Sequence, residues 1–300
     1  MKKKTYLFAL MAMALTLGSC SDNENGIGGE TSKYITVSTS IGNMTRVATD
    51  EKGGQTFEEG DEISVYAWTG DATVAPETRE RVVNNAINKL TNGSWISNPQ
   101  MLWKNNRDKH YFIGVYPISA ISDLSAGEYT FDETKQVESD LLVAVNPDGL
   151  SYSADAQQTV PLTFTHVMAK LVVNLTYKNQ WGGIPTVEKV VVGNAAKEAT
   201  INYLTKVVTP STTAKEDFSL PEITENTKYV SVIIPQEDVT QLTIVIGGKN
   251  FVYDNGTPFK LESGKITTVN LEVGRDEIKL GDVKITNWED GSTFSGEALN

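Results

Sequence analysis

Two histidines, one cysteine, 38 carboxylates and five tryptophans are the side chains from which this 300-residue chain could build chemistry. A serine nucleophile needs a histidine beside it, and the G-x-S-x-G elbow does not occur. His110 and His166 both fall in strand-like runs, where a structural, half-buried imidazole is the expectation. Glu58-Glu59 and Asp61-Glu62 could flank a glycosidic bond, but they surround Gly60 just ahead of a strand and read as a solvated turn. Asp148 and Asp254 lack the alternating ligand spacing of a calcium loop. A single cysteine excludes a disulfide framework and a cysteine-based metal centre. The expectation is therefore no catalytic residue, no metal and no cofactor: a protein that is not an enzyme. Trp68, Trp95, Trp103, Trp181 and Trp288 leave two readings open, a stacking platform for sugars or core and strap residues of a β fold.

Cys20 has its own chemistry. Lys2, Lys3 and Lys4 precede an apolar run from Tyr6 to Leu17 that is too short for a permanent span, so residues 1–19 read as a secretory signal. Leu17-Gly18-Ser19-Cys20 resembles the bacterial lipobox, in which the cysteine thiol takes a diacylglyceryl group; a chance cysteine after an ordinary signal is the alternative. Each buried CH₂ of an acyl chain contributes about 0.8 kcal/mol to anchoring. The formal net charge is −12, and losing Lys2, Lys3 and Lys4 with the signal takes it to −15. Such a surface repels nucleic acid and anionic lipid alike, so membrane contact is expected only through the anchor. Residues 20–32 form a polar, acylated tether.

Beyond the tether the apolar residues alternate. Ile35, Val37, Thr39 and Ile41 form one inward row, Ile63, Val65 and Ala67 another, and Leu242, Ile244 and Ile246 a third. Gly247-Gly248 supplies a hairpin turn. Asn146-Pro147-Asp148-Gly149 and Asp254-Asn255-Gly256 read as turns that end strands. Glu77–Leu90 is ambiguous: Val83, Ile87 and Leu90 fit helical spacing, whereas Asn92-Gly93 ahead of Trp95 fits a hairpin. From Val160 to Leu175 the apolar phase shifts from even to odd, which marks a bulge or a change of sheet. The polar stretch Ser151–Gln158 just before it sets the expected boundary, with one β-sandwich over 33–158 and a second over 159–300.

Read together, the landmarks resemble the fimbrillin family, the pilus-forming lipoproteins of Bacteroidota, in its Mfa-like branch. Phe57-Glu58-Glu59-Gly60-Asp61-Glu62-Ile63-Ser64-Val65-Tyr66 is similar to the family's F-x-x-G-D-x-I-x-V-Y segment, and Phe164-Thr165-His166-Val167-Met168-Ala169-Lys170-Leu171 to its F-x-H-x-x-A-K-L strand. Tyr116-Pro117, Asp140–Ala144, Ile233-Ile234-Pro235-Gln236 and Ile285–Gly291 follow in the family's order. The acidic Ser21–Asn25 resembles its surface-export signal. The resemblance implies an all-β fold of two transthyretin-like β-sandwich domains in tandem, on a surface-exposed outer-membrane lipoprotein. It also implies a trypsin-like surface protease cutting after an arginine near the first strand, here between Arg46 and Val47. The vacated sheet edge would then take a strand from another subunit, which is β-augmentation. The adhesion ligand stays open. A surface glycan-binding lipoprotein using Trp68, Trp95 or Trp103 is the alternative. Ile278, Leu280, Val283 and Ile285 can share one face only with a shift at Gly281-Asp282, and the tail beyond Trp288 is a poor donor strand if that face belongs to the home sandwich.

Overall fold

The structure is a computed structural model describing residues 33–42, 56–153 and 158–288. The first half comprises β1 (Thr36–Ile41), β2 (Glu62–Thr69), β3 (Val83–Thr91), β4 (Ser94–Asn98), β5 (His110–Tyr116), β6 (Gly127–Thr130), β7 (Leu142–Leu150) and β8 (Thr159–His166). The second comprises β9 (Ala169–Tyr177), β10 (Val187–Ala196), β11 (Glu198–Asn202), β12 (Val207–Pro210), β13 (Lys215–Leu220), β14 (Glu222–Thr224), β15 (Lys228–Ile233), β16 (Gln236–Ile246), β17 (Lys249–Leu261), β18 (Lys265–Val273) and β19 (Ile278–Asn287). The fold is all-β. Among the described residues, helical hydrogen bonding is confined to two 3₁₀ turns, Thr78–Glu80 and Asn179–Trp181.

Seven strands form one sheet in the order β1-β8-β7-β5-β2-β3-β4. Its two ends meet: Trp95 Nε1 on β4 donates to Thr39 Oγ1 on β1 at 3.0 Å, and Tyr34 bridges Leu102. The sheet is therefore rolled, and its inner face buries Ile63, Val65, Phe112, Leu162 and Phe164. Gly114 makes room for this packing, because a Cβ there would stand 2.6 Å from the Phe164 ring. The outer face sends Tyr66, Trp68, Ile113, Val115 and Val143 into a second core. That core runs on between a four-stranded sheet, β13-β10-β16-β17, and a five-stranded one, β14-β15-β9-β18-β19. A three-stranded sheet, β12-β11-β6, ties the halves together, since β6 pairs antiparallel with β11 from Gly127↔Ile201 to Thr130↔Glu198.

The phase shift marks a change of sheet. Leu162 and Phe164 face the roll, Val167, Ala169 and Leu171 face the second core, and the chain crosses at Val167–Met168. β8 lies on the N-terminal side of that crossing, paired with β1 and β7 in the rolled sheet. Glu77–Leu90 resolves as a 3₁₀ turn followed by β3, and β3 returns through Asn92-Gly93, both with positive φ, into β4.

Two expected turns prove to be bulges. β7 continues through Asn146–Gly149, resuming its pairing at His110↔Leu150, while the Gly149 N–H donates to Asn146 Oδ1 at 3.0 Å. β17 likewise continues past Asp254–Gly256, and its register against β16 jumps from Gln241↔Asp254 to Val239↔Phe259. In each case an Asx side chain accepts a local backbone N–H, the same hydrogen bond that would close a true turn.

Candidate functional site

β1 is an edge strand fastened on one side by a parallel ladder to β8, from Thr36↔Thr159 to Ile41↔Phe164. Its alternation sends Ile35 and Val37 into the roll, 2% and 6% exposed. Burying each contributes about 1.5–3 kcal/mol. Ser38 and Ser40 face out, where Ser40 Oγ donates to Thr163 Oγ1 at 3.2 Å. On the far side the strand is held by short contacts to the chain around residue 102: Ile35 N donates to Met101 O at 2.9 Å, and Trp103 N to Lys33 O at 3.1 Å. β1 thus plugs a slot between β8 and β4.

The slot's far end is aromatic. Phe57 lies edge-on to Trp95, Tyr116 and Phe164, with ring centroids 5.1–5.4 Å apart. Burial pushes the Tyr116 hydroxyl up to about 12, with the negative charge of Asp61 adding to the effect.

A second constellation sits at the crossing. His166, the last residue of β8, places Nδ1 2.8 Å from Asp140 Oδ1. Its ring stacks on Trp288 at 4.2 Å between centroids and 7° between planes. Lys170 on β9 holds Nζ 5.4 Å from the Trp288 ring centroid. Burial pushes this ammonium down to about 8, while Asp140 pulls the other way. Trp288 is 2% exposed, and its backbone N–H donates to Gly264 O at 3.1 Å. The Asp140, F-x-H-x-x-A-K-L and C-terminal landmarks therefore converge in space as a structural seam. Sequence reasoning took His166 for a strand histidine and gave it no link to Asp140 or Trp288.

His110 is a core residue too. It accepts from Lys104 N through Nε2 at 3.0 Å, and Nδ1 lies 3.1 Å from Asp108 O, an arrangement that suits the neutral ring; burial lowers its affinity for a proton. Trp68 and Trp103 are 2% and 8% exposed and belong to the two different cores, on opposite faces of the rolled sheet. Together with Asp71, Arg79 and Lys104 they border an open cavity of about 750 Å³, yet they offer no shared stacking face. The sugar-platform expectation fails on these two rings, because packing has already used them. Among the described residues no group of three or more metal-ligating side chains comes together. Cys20, Arg46 and Val47 lie outside the described residues.

β19 carries the expected register shift. Val269↔Val283 is followed by Leu271↔Leu280, so Gly281-Asp282 form a bulge that returns Ile278, Leu280, Val283 and Ile285 to one face. Asn270 Nδ2 donates to Asp282 Oδ1 at 2.7 Å and pins the bulge; Asn174 in turn donates to Asn270 Oδ1 at 2.8 Å. β19 is thus a strand of the home sheet.

No curated protein matches the chain. A candidate cell adhesion protein from Bacteroides ovatus aligns over 85% of this chain and 98% of its own, at 17% identity and a TM-score of 0.61. A second, from Bacteroides uniformis, aligns over 86% and 100%, at 18% identity and a TM-score of 0.59. A fimbrial protein from Bacteroides vulgatus aligns over 84% and 99%, at 12% identity and a TM-score of 0.52. These likenesses establish a common fold. A family profile described as fimbrillin-like matches residues 45–288, running from just ahead of Arg46 to Trp288. The chain belongs to the fimbrillin-like family, a family of fimbrial and cell-adhesion proteins of the cell surface and not of enzymes.

Proposed function

We propose that the protein is a surface-exposed outer-membrane lipoprotein, acylated at Cys20, that serves as a fimbrial subunit or adhesin. A trypsin-like protease cuts between Arg46 and Val47, β1 leaves, and a strand from another subunit enters the slot. The observation that carries this reading is β1 with its lead-in: an edge strand with two buried apolar plugs, Ile35 and Val37, lying ahead of the family match that begins at residue 45. Its loss strips β8 of its ladder on one side and opens an apolar groove, the arrangement that strand addition needs.

We read the chain as two sandwich units and move their boundary from 158/159, where the sequence placed it, to Val167–Met168, because β8 pairs with β1 and β7. β19 supports a tip or accessory role, because the home sheet already uses that strand. Such a subunit accepts a strand and need not donate one. The test is the intact mass and N-terminal sequence of protein from the native cell surface. A chain beginning at Val47 is expected; a chain beginning at acylated Cys20 would mean a retained first strand and sink the exchange mechanism.

A further inference from the structure

The slot selects its occupant by more than apolar fit. Four residues of β1 and its lead-in point inward, Ile35, Val37, Thr39 and Ile41, and the third is a hydroxyl. Thr39 Oγ1 accepts the indole N–H of Trp95 at 3.0 Å. Trp95 is also held by contacts outside β1. It follows the Asn92-Gly93 turn of the β3–β4 hairpin, and the Phe57 ring meets it edge-on at 5.3 Å and 83°. With those contacts kept, the N–H of Trp95 would face the position Thr39 held once β1 leaves.

We propose that Trp95 is a specificity residue of the slot, and that the partner strand carries a hydroxyl at its third inward position. The partner's inward pattern is then apolar, apolar, serine or threonine, apolar, with one residue between each. A purely aliphatic strand would fill the same volume and leave a half-buried donor without an acceptor. Tight packing at Ile35 and Val37 sets affinity, and the Trp95 hydrogen bond sets register, because a slip of two residues brings an apolar side chain opposite the indole. This selection rests on the exchange reading above.

The test uses the full chain cut once after Arg46, with synthetic Lys33–Gly42 peptides competing for the slot. Peptides of the natural sequence and with Thr39→Ser are expected to enter and be retained. The Thr39→Val peptide, equal in shape, is expected to be retained about tenfold less well. In a Trp95→Phe chain the two should become equivalent, which separates the hydrogen bond from general strand stability. Equal retention of the Thr39→Val peptide by the unaltered chain would overturn the selection and leave strand exchange standing. Discrimination that persists in Trp95→Phe would overturn it too. Entry of no peptide at all would remove the exchange reading, and this selection with it.

Discussion

Lys170 is 3% exposed and titrates in the folded protein near 8, below a lysine in an unfolded chain. Between about pH 8 and about pH 10.4 the native state binds fewer protons than the unfolded one, so this group's contribution to stability rises with pH across that window. Comparing urea unfolding of the natural chain with Lys170→Met should show the natural protein gaining about 2 kcal/mol on the variant between about pH 7.5 and about pH 9.5. Parallel pH profiles would refute the assignment. Trp288 makes a second residue-level case. Its Nε1 is buried and meets no hydrogen-bond acceptor among the described residues, so the ring contributes through stacking on His166 and not through its N–H. Trp288→Ala should cost about 3 kcal/mol and Trp288→Phe about 1 kcal/mol in the same assay. Equal losses would mean that the indole N–H matters after all. The sequence marks each of these residues as apolar or strand-borne but cannot couple them, because 140, 166, 170 and 288 meet only through the sheet order.

β19 shows what alternation can predict and what it cannot. Its four apolar residues demand a shift at Gly281-Asp282, and the bulge supplies it at that place. Deleting Asp282 should straighten the ladder with Ile278, Leu280, Val283 and Ile285 kept on one face, where the last three are half-exposed, at a cost below about 1 kcal/mol. Deleting Lys284 instead puts Ile285, already 37% exposed, on the opposite face and pulls Trp288 from its stack, so that a loss of about 3 kcal/mol comes from the indole. Equal costs by thermal unfolding would show that the register is set elsewhere. Strands are legible where one buried face enforces a two-residue period, as at Ile63–Ala67 and Leu242–Ile246, but β3 reads equally as helix and the strands from Val187 to Ile233 are not singled out. Asn146–Gly149 and Asp254–Gly256 misled because a bulge and a turn use the same local Asx and glycine chemistry. Only the partner strand distinguishes them, and that partner is remote in sequence. The β1–β8 and β6–β11 pairings were illegible for the same reason.

At the scale of the whole molecule, the second core joins Tyr66, Trp68, Ile113 and Val115 of the rolled sheet to Leu171, Val190, Leu242 and Val269 of the sandwich. A shared interior of this kind couples the halves, so calorimetry should give one cooperative transition. Two resolved transitions would show that β6–β11 pairing and the shared packing do not transmit unfolding. Composition left the function open at this scale; the ordered landmarks from Phe57 to Trp288 carried the family, and the profile match over residues 45–288 agrees with them.

The ladder that holds β1 joins Thr36 to Thr159, 123 residues away. Closing so long a loop carries an entropic cost that is repaid only after β2, β3, β5 and β7 have assembled the strand's berth. β1 is therefore the last piece of the rolled sheet to arrive, and pulse-labelled hydrogen exchange should find its amides protected after those of β2 and β5. Simultaneous protection would contradict this order. A strand that docks last leaves a period in which its berth, with β8 unpaired on that side, is open. Under the maturation proposed above, docking and cleavage would race, and the folding rate of the rolled sheet would set how much of the protein ever holds its own first strand.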